Sequence, residues 1–259
     1  MRVDTIILHR CRTMLLSLFL LLACLPVCGD ATGGEPAPGD ADKILARVDR
    51  AMRPDSCELF TQITSQSANG RTQQISLYVV RGPGKQGAAL LLAPDTLIGR
   101  AILRQGDEIW MHVPGELELR PSTLNQTMLP SLLNNADLLL TDFSVDYTAT
   151  LLEEDANSYL LQLTPRSNRM PYTRQILRVD RSLMLPKTLQ QYGANGVLLK
   201  TVTFGKVSRM YGFPRPDEMQ VVGRDKSNAT WQLGSIKPRT WPEEAFSKAL
   251  LPKIGILFK

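Results

Sequence analysis

Two histidines, His9 and His112, and four cysteines, Cys11, Cys24, Cys28 and Cys57, are the side chains here best suited to bind metal or act as nucleophile and base. His9, Cys11, Cys24 and Cys28 all fall in or beside an N-terminal leader, which leaves His112 and Cys57 in the body. A single imidazole excludes any zinc site that needs two, and any binuclear histidine centre. His112 could serve a serine as base, but no Gly-x-Ser-x-Gly elbow occurs, and Met111 and Val113 flank it on a strand-patterned segment. It reads as structural. Cys57 alternates with apolar neighbours and reads as a small buried hydrophobe, and one body cysteine excludes a disulfide framework.

The remaining reactive types are no better arranged. Glu153-Glu154-Asp155 is an acidic run before a turn, the pattern of a solvated loop, and no carboxylate pair suited to glycoside chemistry stands out. Arg81-Gly82-Pro83-Gly84-Lys85 has two glycines but no helix after it to hold a phosphate, so it reads as a turn. Asn125-Gln126-Thr127 and Asn228-Ala229-Thr230 match the short glycosylation triplet. No catalytic residue, cofactor site or metal site is assigned, and the chain reads as a non-enzyme.

The leader is a targeting segment. Arg2, Arg10 and Arg12 precede an apolar stretch, 14–25, that is too short for a comfortable membrane span. Two processing sites compete: cleavage after Val27-Cys28-Gly29, giving a soluble product that starts at Asp30, and a lipobox-like Leu21-Leu22-Ala23-Cys24 that would lipidate Cys24. Residues 30–40 form a flexible stretch of Gly, Pro, Ala and Asp in either case. Without residues 1–29 the 30 basic and 25 acidic residues become 27 and 24, so the net charge is near +3. No basic run interleaves with aromatics, which argues against nucleic acid as a partner. Residues 41–259 are long enough for one mainly β domain.

The body supplies strand signals almost throughout. Asp40 is placed to cap a helix carrying Ile44, Leu45, Val48 and Met52, ended by Pro54. Strands over 57–67 and 73–81 meet at Asn69-Gly70, a hairpin signal. Residues 87–93 form a continuous apolar strand, 102–104 another, and Gln105-Gly106-Asp107 turns into a strand ending at Pro114. Residues 117–120 are expected to continue the sheet. Residues 121–141 break the pattern: many leucines, no strand period, and Pro130, which together suggest short helical pieces in a long connection. Such a connection is either packed permanently on the sheet or is a mobile apolar lid. From 142, opened by Asp142-Phe143-Ser144, β-patterned segments resume, with turns at 156–157, 168–171, 181–186 and 195–196. Thr240 is placed to cap a last helix with Pro242 at its first position and Glu243 and Glu244 in its first turn.

Residues 94–251 resemble the LolA-like family of outer-membrane lipoprotein-sorting proteins. The matching pieces are Gly106-Asp107-Glu108-Ile109-Trp110-Met111-His112-Val113-Pro114, Thr141-Asp142-Phe143-Ser144-Val145-Asp146, Leu163-Thr164-Pro165, Leu185-Pro186, Asn195-Gly196-Val197-Leu198-Leu199-Lys200-Thr201 and Glu243-Glu244-Ala245-Phe246-Ser247-Lys248-Ala249-Leu250, in that order. The resemblance implies a curved antiparallel half-barrel whose concave face is covered by an N-terminal helix and short helices. It implies a periplasmic carrier of lipoprotein or lipid acyl chains, monomeric, working between an inner-membrane transporter and an outer-membrane acceptor. Relatives carry several arginines and a glycine-rich segment after the Trp-containing strand. Here Leu117-Glu118-Leu119-Arg120 keeps one arginine and 125–135 replaces the glycines, so the cargo is not fixed by the resemblance.

Physics favours the same use. Exposing an acyl chain to water costs about 0.8 kcal/mol per CH₂, so carriage needs an apolar enclosure. The expected lining is Leu77, Val79, Leu90, Leu92, Ile109 and Met111 from strands, with Met128, Leu132 and Leu133 from the connection as lid. Tyr78, Trp110 and His112 should face the other way. The alternatives are an accessory or sensor subunit of a membrane transporter built on the same barrel, and a hydrolase of an envelope polymer.

Overall fold

The computed structural model describes residues 39–129 and 131–258. The expected leader, and residues 30–38 of the stretch after it, lie outside the described residues.

The chain enters through helix α1 (Asp40–Met52), whose apolar spacing buries Leu45 and Val48 completely. Asp40 is not its cap. Gly39 takes the capping position with φ 109°, a left-handed conformation that suits glycine, and Asp40 instead pairs with Lys43 at 2.8 Å. Strands β1 (Cys57–Gln66), β2 (Thr72–Arg81), β3 (Gln86–Ala93), β4 (Ala101–Gln105), β5 (Glu108–His112) and β6 (Arg120–Ser122) follow as a meander. Two single-turn helices, α2 (Asn135–Leu138) and α3 (Phe143–Asp146), precede β7 (Tyr147–Glu154), β8 (Ser158–Pro165), β9 (Arg174–Asp180), β10 (Pro186–Tyr192) and β11 (Leu198–Phe204). A separate two-stranded ribbon, β12 (Val207–Met210) and β13 (Phe213–Pro216), leads to β14 (Glu218–Gly223) and β15 (Asn228–Pro238).

Thirteen of these strands form one open, curved antiparallel sheet in the order β6-β5-β4-β3-β2-β1-β15-β14-β11-β10-β9-β8-β7. The β1–β15 seam joins the two meanders, with Ile63 opposite Trp231. Strand alternation explains β1 directly: Cys57, Leu59, Thr61, Ile63 and Ser65 are buried while Phe60, Gln62 and Thr64 are exposed. Cys57 is fully buried, and burial pushes its thiol up.

Strands β2 and β3 are apolar on both faces because both are covered. On the inner face, Leu77, Val79, Ala89 and Leu91 pack with α1 and the 123–146 connection. On the outer face, Tyr78, Val80, Ala88 and Leu90 pack under Trp241, Phe246, Leu251 and Ile254 from the C-terminal segment. That segment is two 3₁₀ pieces, Glu243–Phe246 and Leu251–Phe258, not the expected α-helix. Pro242 holds the capping position, and the Thr240 side chain makes no cap. Phe246 lies so close to Gly82 that a Cβ there would stand 2.7 Å from Cε2 of its ring, so only glycine fits that turn.

Two further expectations are corrected. Residues 117–119 are not sheet. A turn at Val113–Glu116, with Gly115 at φ 88°, delays re-entry until Arg120, and Leu117 is exposed. Asp142-Phe143-Ser144 opens a helical turn, not a strand, because a distant acid caps it as described below.

A roofed apolar cavity as candidate functional site

The roof is the 123–146 connection. Leu124, Met128, Leu129, Leu133, Leu138 and Leu139 are buried in the same cluster as Leu45, Leu59, Ile63 and Val79, which leaves the inner face of the first meander tightly filled. Locally the roof is shaped by side-chain caps. Asn134 and Asp137 form a reciprocal capping box on α2. Asp49, from α1, accepts from the N–H groups of Phe143 and Ser144 at 2.9 and 2.8 Å and so caps α3 from 94 residues away.

Charged side chains of the sheet and of the end of α1 hold the roof down. Arg81 donates to the carbonyls of Leu139 and Leu140 at 3.0 and 2.5 Å and to Asp142 at 2.8 Å. Arg53 reaches the other oxygen of Asp142 at 2.5 Å. Arg104 forks onto Asp146 through two bonds of 2.6 Å. Lys200 donates to Asp137 at 2.5 Å and to the Leu132 carbonyl at 3.3 Å. Burial, reinforced by the nearby Arg53 charge, pushes the Arg81 guanidinium down to about 10, with Asp142 opposing. Burial likewise pushes the Asp49 carboxyl up, against the pull of Arg53. Leu140 sits at φ 48°, a left-handed conformation costing on the order of 1–3 kcal/mol for a leucine, and its carbonyl is one that Arg81 grips. Breaking one of the buried ion pairs from one side costs several kcal/mol, because the other charge is left buried and unpaired.

Under the roof's C-terminal half the packing is incomplete. A cavity of about 100 Å³ lies between Leu133, Leu140 and Phe143 above and Leu189, Val202, Phe204, Met219, Val221 and Trp231 on the sheet. Pockets for small molecules are usually about 300–1,000 Å³, so this one is small. Beside it an outer groove of about 500 Å³ shares Leu133, Tyr172 and Lys200 with the cavity and opens past Asn125, Leu132 and Arg224. Roof and floor thus bound a small, mainly apolar space that adjoins the outer groove.

The expected lining residues are divided by this arrangement. Leu77, Val79, Ile109 and Met111 lie on the inner face with Met128, Leu132 and Leu133 of the roof, while Tyr78 and Trp110 lie on the outer face. Leu90 and Leu92 are on the outer face too, against expectation. Register places Leu77 opposite Leu91 and Tyr78 opposite Leu90, so in β3 the odd-numbered residues point inward. Of the nine, only Leu133 lines the cavity, and Leu132 lines the groove. The cavity's own residues were overlooked although β10, β11 and β14 carry an i, i+2 signal: Leu189 and Gln191, then Lys200, Val202 and Phe204, then Met219 and Val221. His112 is half-buried at the end of β5. Among the described residues no three His, Cys, Asp or Glu side chains are grouped to hold a metal, and no helix is long and apolar enough to cross a membrane.

A family model described as "Uncharacterized protein" matches residues 84–253, which takes in β3 to β15, the roof and all of the cavity lining but Met52 and Arg53. The chain belongs to that family. No curated protein matches it. Among solved structures it is similar to a LolA superfamily protein from Nitrosomonas europaea, with TM-score 0.75 and 23% identity over 81% of this chain and 98% of that one. It is similar to a DUF1329 family protein from Desulfovibrio piger, with TM-score 0.70 and 19% identity over 82% and 97%. A third similar structure is a putative outer membrane lipoprotein-sorting protein domain from Vibrio parahaemolyticus, with TM-score 0.68 and 17% identity over 82% and 98%. The chain is LolA-like in fold.

Proposed function

We propose that the protein is a periplasmic carrier that holds acyl chains of a lipoprotein or lipid beneath the 123–146 roof and passes them toward the outer membrane. The observation that carries this reading is the pairing of a small, mainly apolar cavity with a roof whose own leucines occupy the rest of the inner face. Lifting the roof exchanges its leucines for cargo on the same surface, so apolar contact is conserved in both states. The polar tethers at Arg81, Arg104 and Lys200 give the shut state a defined position, and the Leu140 strain gives it a reason to open.

An inner-membrane transporter as donor and an outer-membrane protein as acceptor complete the cycle. The likeness in fold to a LolA superfamily protein and to a domain named for outer membrane lipoprotein sorting supports this reading. Native mass spectrometry of the protein released from a periplasmic extract tests the reading. Co-purifying lipid supports it. A lipid-free protein that also fails to take up a fluorescent fatty acid sinks it and favours a transporter accessory role.

A further inference from the structure

We infer that the carried chain bears a hydroxyl group along its apolar body, which is read by Tyr147 and Gln191 on the cavity floor. The inference rests on the carrier reading and specifies its cargo. A polar row crosses the otherwise apolar floor: Gln175 on β9 stands opposite Gln191 on β10, which stands opposite Lys200 on β11, and Tyr147 begins β7 nearby. All four line the cavity. They are 1%, 4%, 5% and 2% exposed respectively, so water reaches them poorly.

Most of this row is satisfied within the protein. Gln191 Nε2 donates to Gln175 Oε1 at 2.9 Å, and Lys200 spends its charge on Asp137 and the Leu132 carbonyl. Two capacities are left over: Gln191 Oε1, an acceptor, and the proton of the Tyr147 hydroxyl, whose oxygen has the Gln175 amide beside it. Burial, followed by the Asp146 and Asp137 carboxylates, holds the Tyr147 phenol well above its ordinary range, so it stays protonated and able to donate. The three other unpaired atoms lie outside this row: Arg53 Nε and Arg81 Nε belong to guanidiniums already paired with Asp142, and Asn135 Oδ1 is on α2.

Buried polar atoms without partners are uncommon and each is costly. A plain alkyl chain would leave this pair stranded. A hydroxyl is the smallest group that donates to one atom and accepts from the other. A site built with an unmet donor and an unmet acceptor therefore favours the ligand that meets both, over one of equal length that meets neither.

The test compares binding of myristic acid with that of its α-, β- and ω-hydroxy derivatives to the full chain, by competition against a fluorescent fatty acid. At least one hydroxylated isomer is expected to bind about tenfold more tightly, the effect of a single gained hydrogen bond worth about 1.4 kcal/mol. Tyr147→Phe removes a hydroxyl whose one protein neighbour is the Gln175 side chain, so the fold should hold and the ratio of hydroxylated to plain acid affinity should fall to about one. Gln191→Met should abolish the preference independently. Equal binding of all four acids by the wild type overturns the inference, as does a preference that survives both substitutions. No binding of any acid overturns the carrier reading itself.

Discussion

Arg104 on β4 and Asp146 at the end of α3 meet through two parallel hydrogen bonds of 2.6 Å, with both side chains almost wholly buried. The pair locks the roof's last turn to the first meander. Its removal from one side should be far more damaging than its removal from both. Arg104→Met is expected to cost about 3–5 kcal/mol, while Arg104→Met combined with Asp146→Leu recovers most of it. Lys85, 3.9 Å from Asp146, is too distant to replace the fork. Urea unfolding of the three proteins decides this, and a single-mutant loss under about 1 kcal/mol would contradict it.

Arg81 should govern how readily the roof lifts. Arg81→Lys keeps a charge but cannot serve two carbonyls and a carboxylate together. Hydrogen exchange in 132–142 is expected to quicken at least tenfold, with β11 amides unchanged. In the wild type the roof should exchange faster than β11 and slow when a fatty acid binds. Roof protection equal to that of β11 in the empty wild type would mean the roof is fixed core.

Filling the cavity should block cargo without charge. Val202→Phe adds a ring to a space of about 100 Å³ bounded by Met219 and Trp231. Overpacking costs about 1–3 kcal/mol, and fatty-acid affinity should fall at least tenfold while thermal unfolding stays cooperative. Undiminished affinity would place the cargo elsewhere, the outer groove past Leu132 being the next location to test.

Acid sensitivity should have a traceable source at the β9–β10 turn. The Asp180 carboxyl is held well below the ordinary carboxylate range, first by the Ser182 hydroxyl, then by the Leu183 N–H and Lys187. An acid depressed in the folded state contributes stability that is present above its unfolded value, about 3.9, and is lost as pH falls through the depressed folded value. Asp180→Asn should therefore flatten the decline in stability below about pH 4, as seen by thermal unfolding across pH. An unchanged slope would assign that decline to other carboxylates.

Processing makes a separate prediction. The mature chain is expected to begin at Asp30 and to fractionate as a soluble periplasmic protein, which intact mass measures. Acyl groups on Cys24, lost together with membrane association in Cys24→Ala, would establish the other route.

What the sequence made legible follows from where each signal is stored. The β1–β2 hairpin was readable because Leu59, Thr61 and Ile63 alternate cleanly with exposed neighbours and Asn69-Gly70 marks the turn. The roof was readable as a loss of strand period. The facing of β3 was not, because Ala88, Leu90 and Leu92 are as apolar as Ala89 and Leu91, and only the distant C-terminal segment covering one side gives the two sets different neighbours. The α3 turn was missed because its cap, Asp49, is 94 residues away. The position of the open space was not legible for a similar reason. Composition shows which strands could line a space, but not that the roof leucines fill the half beside β2 and leave the half beside β11 open.

The β1–β15 seam has a consequence for how the molecule is made. Residues 57–66 pair with residues 228–238, so the centre of the sheet closes only when nearly the whole chain is available. Until then β1 presents a bare strand edge, apolar on one side at Leu59 and Ile63, of the sort that invites pairing with other chains. Contacts this distant in sequence are slow to form. A chain truncated before Asn228 would keep that edge bare and is expected to aggregate instead of persisting as a half-sheet.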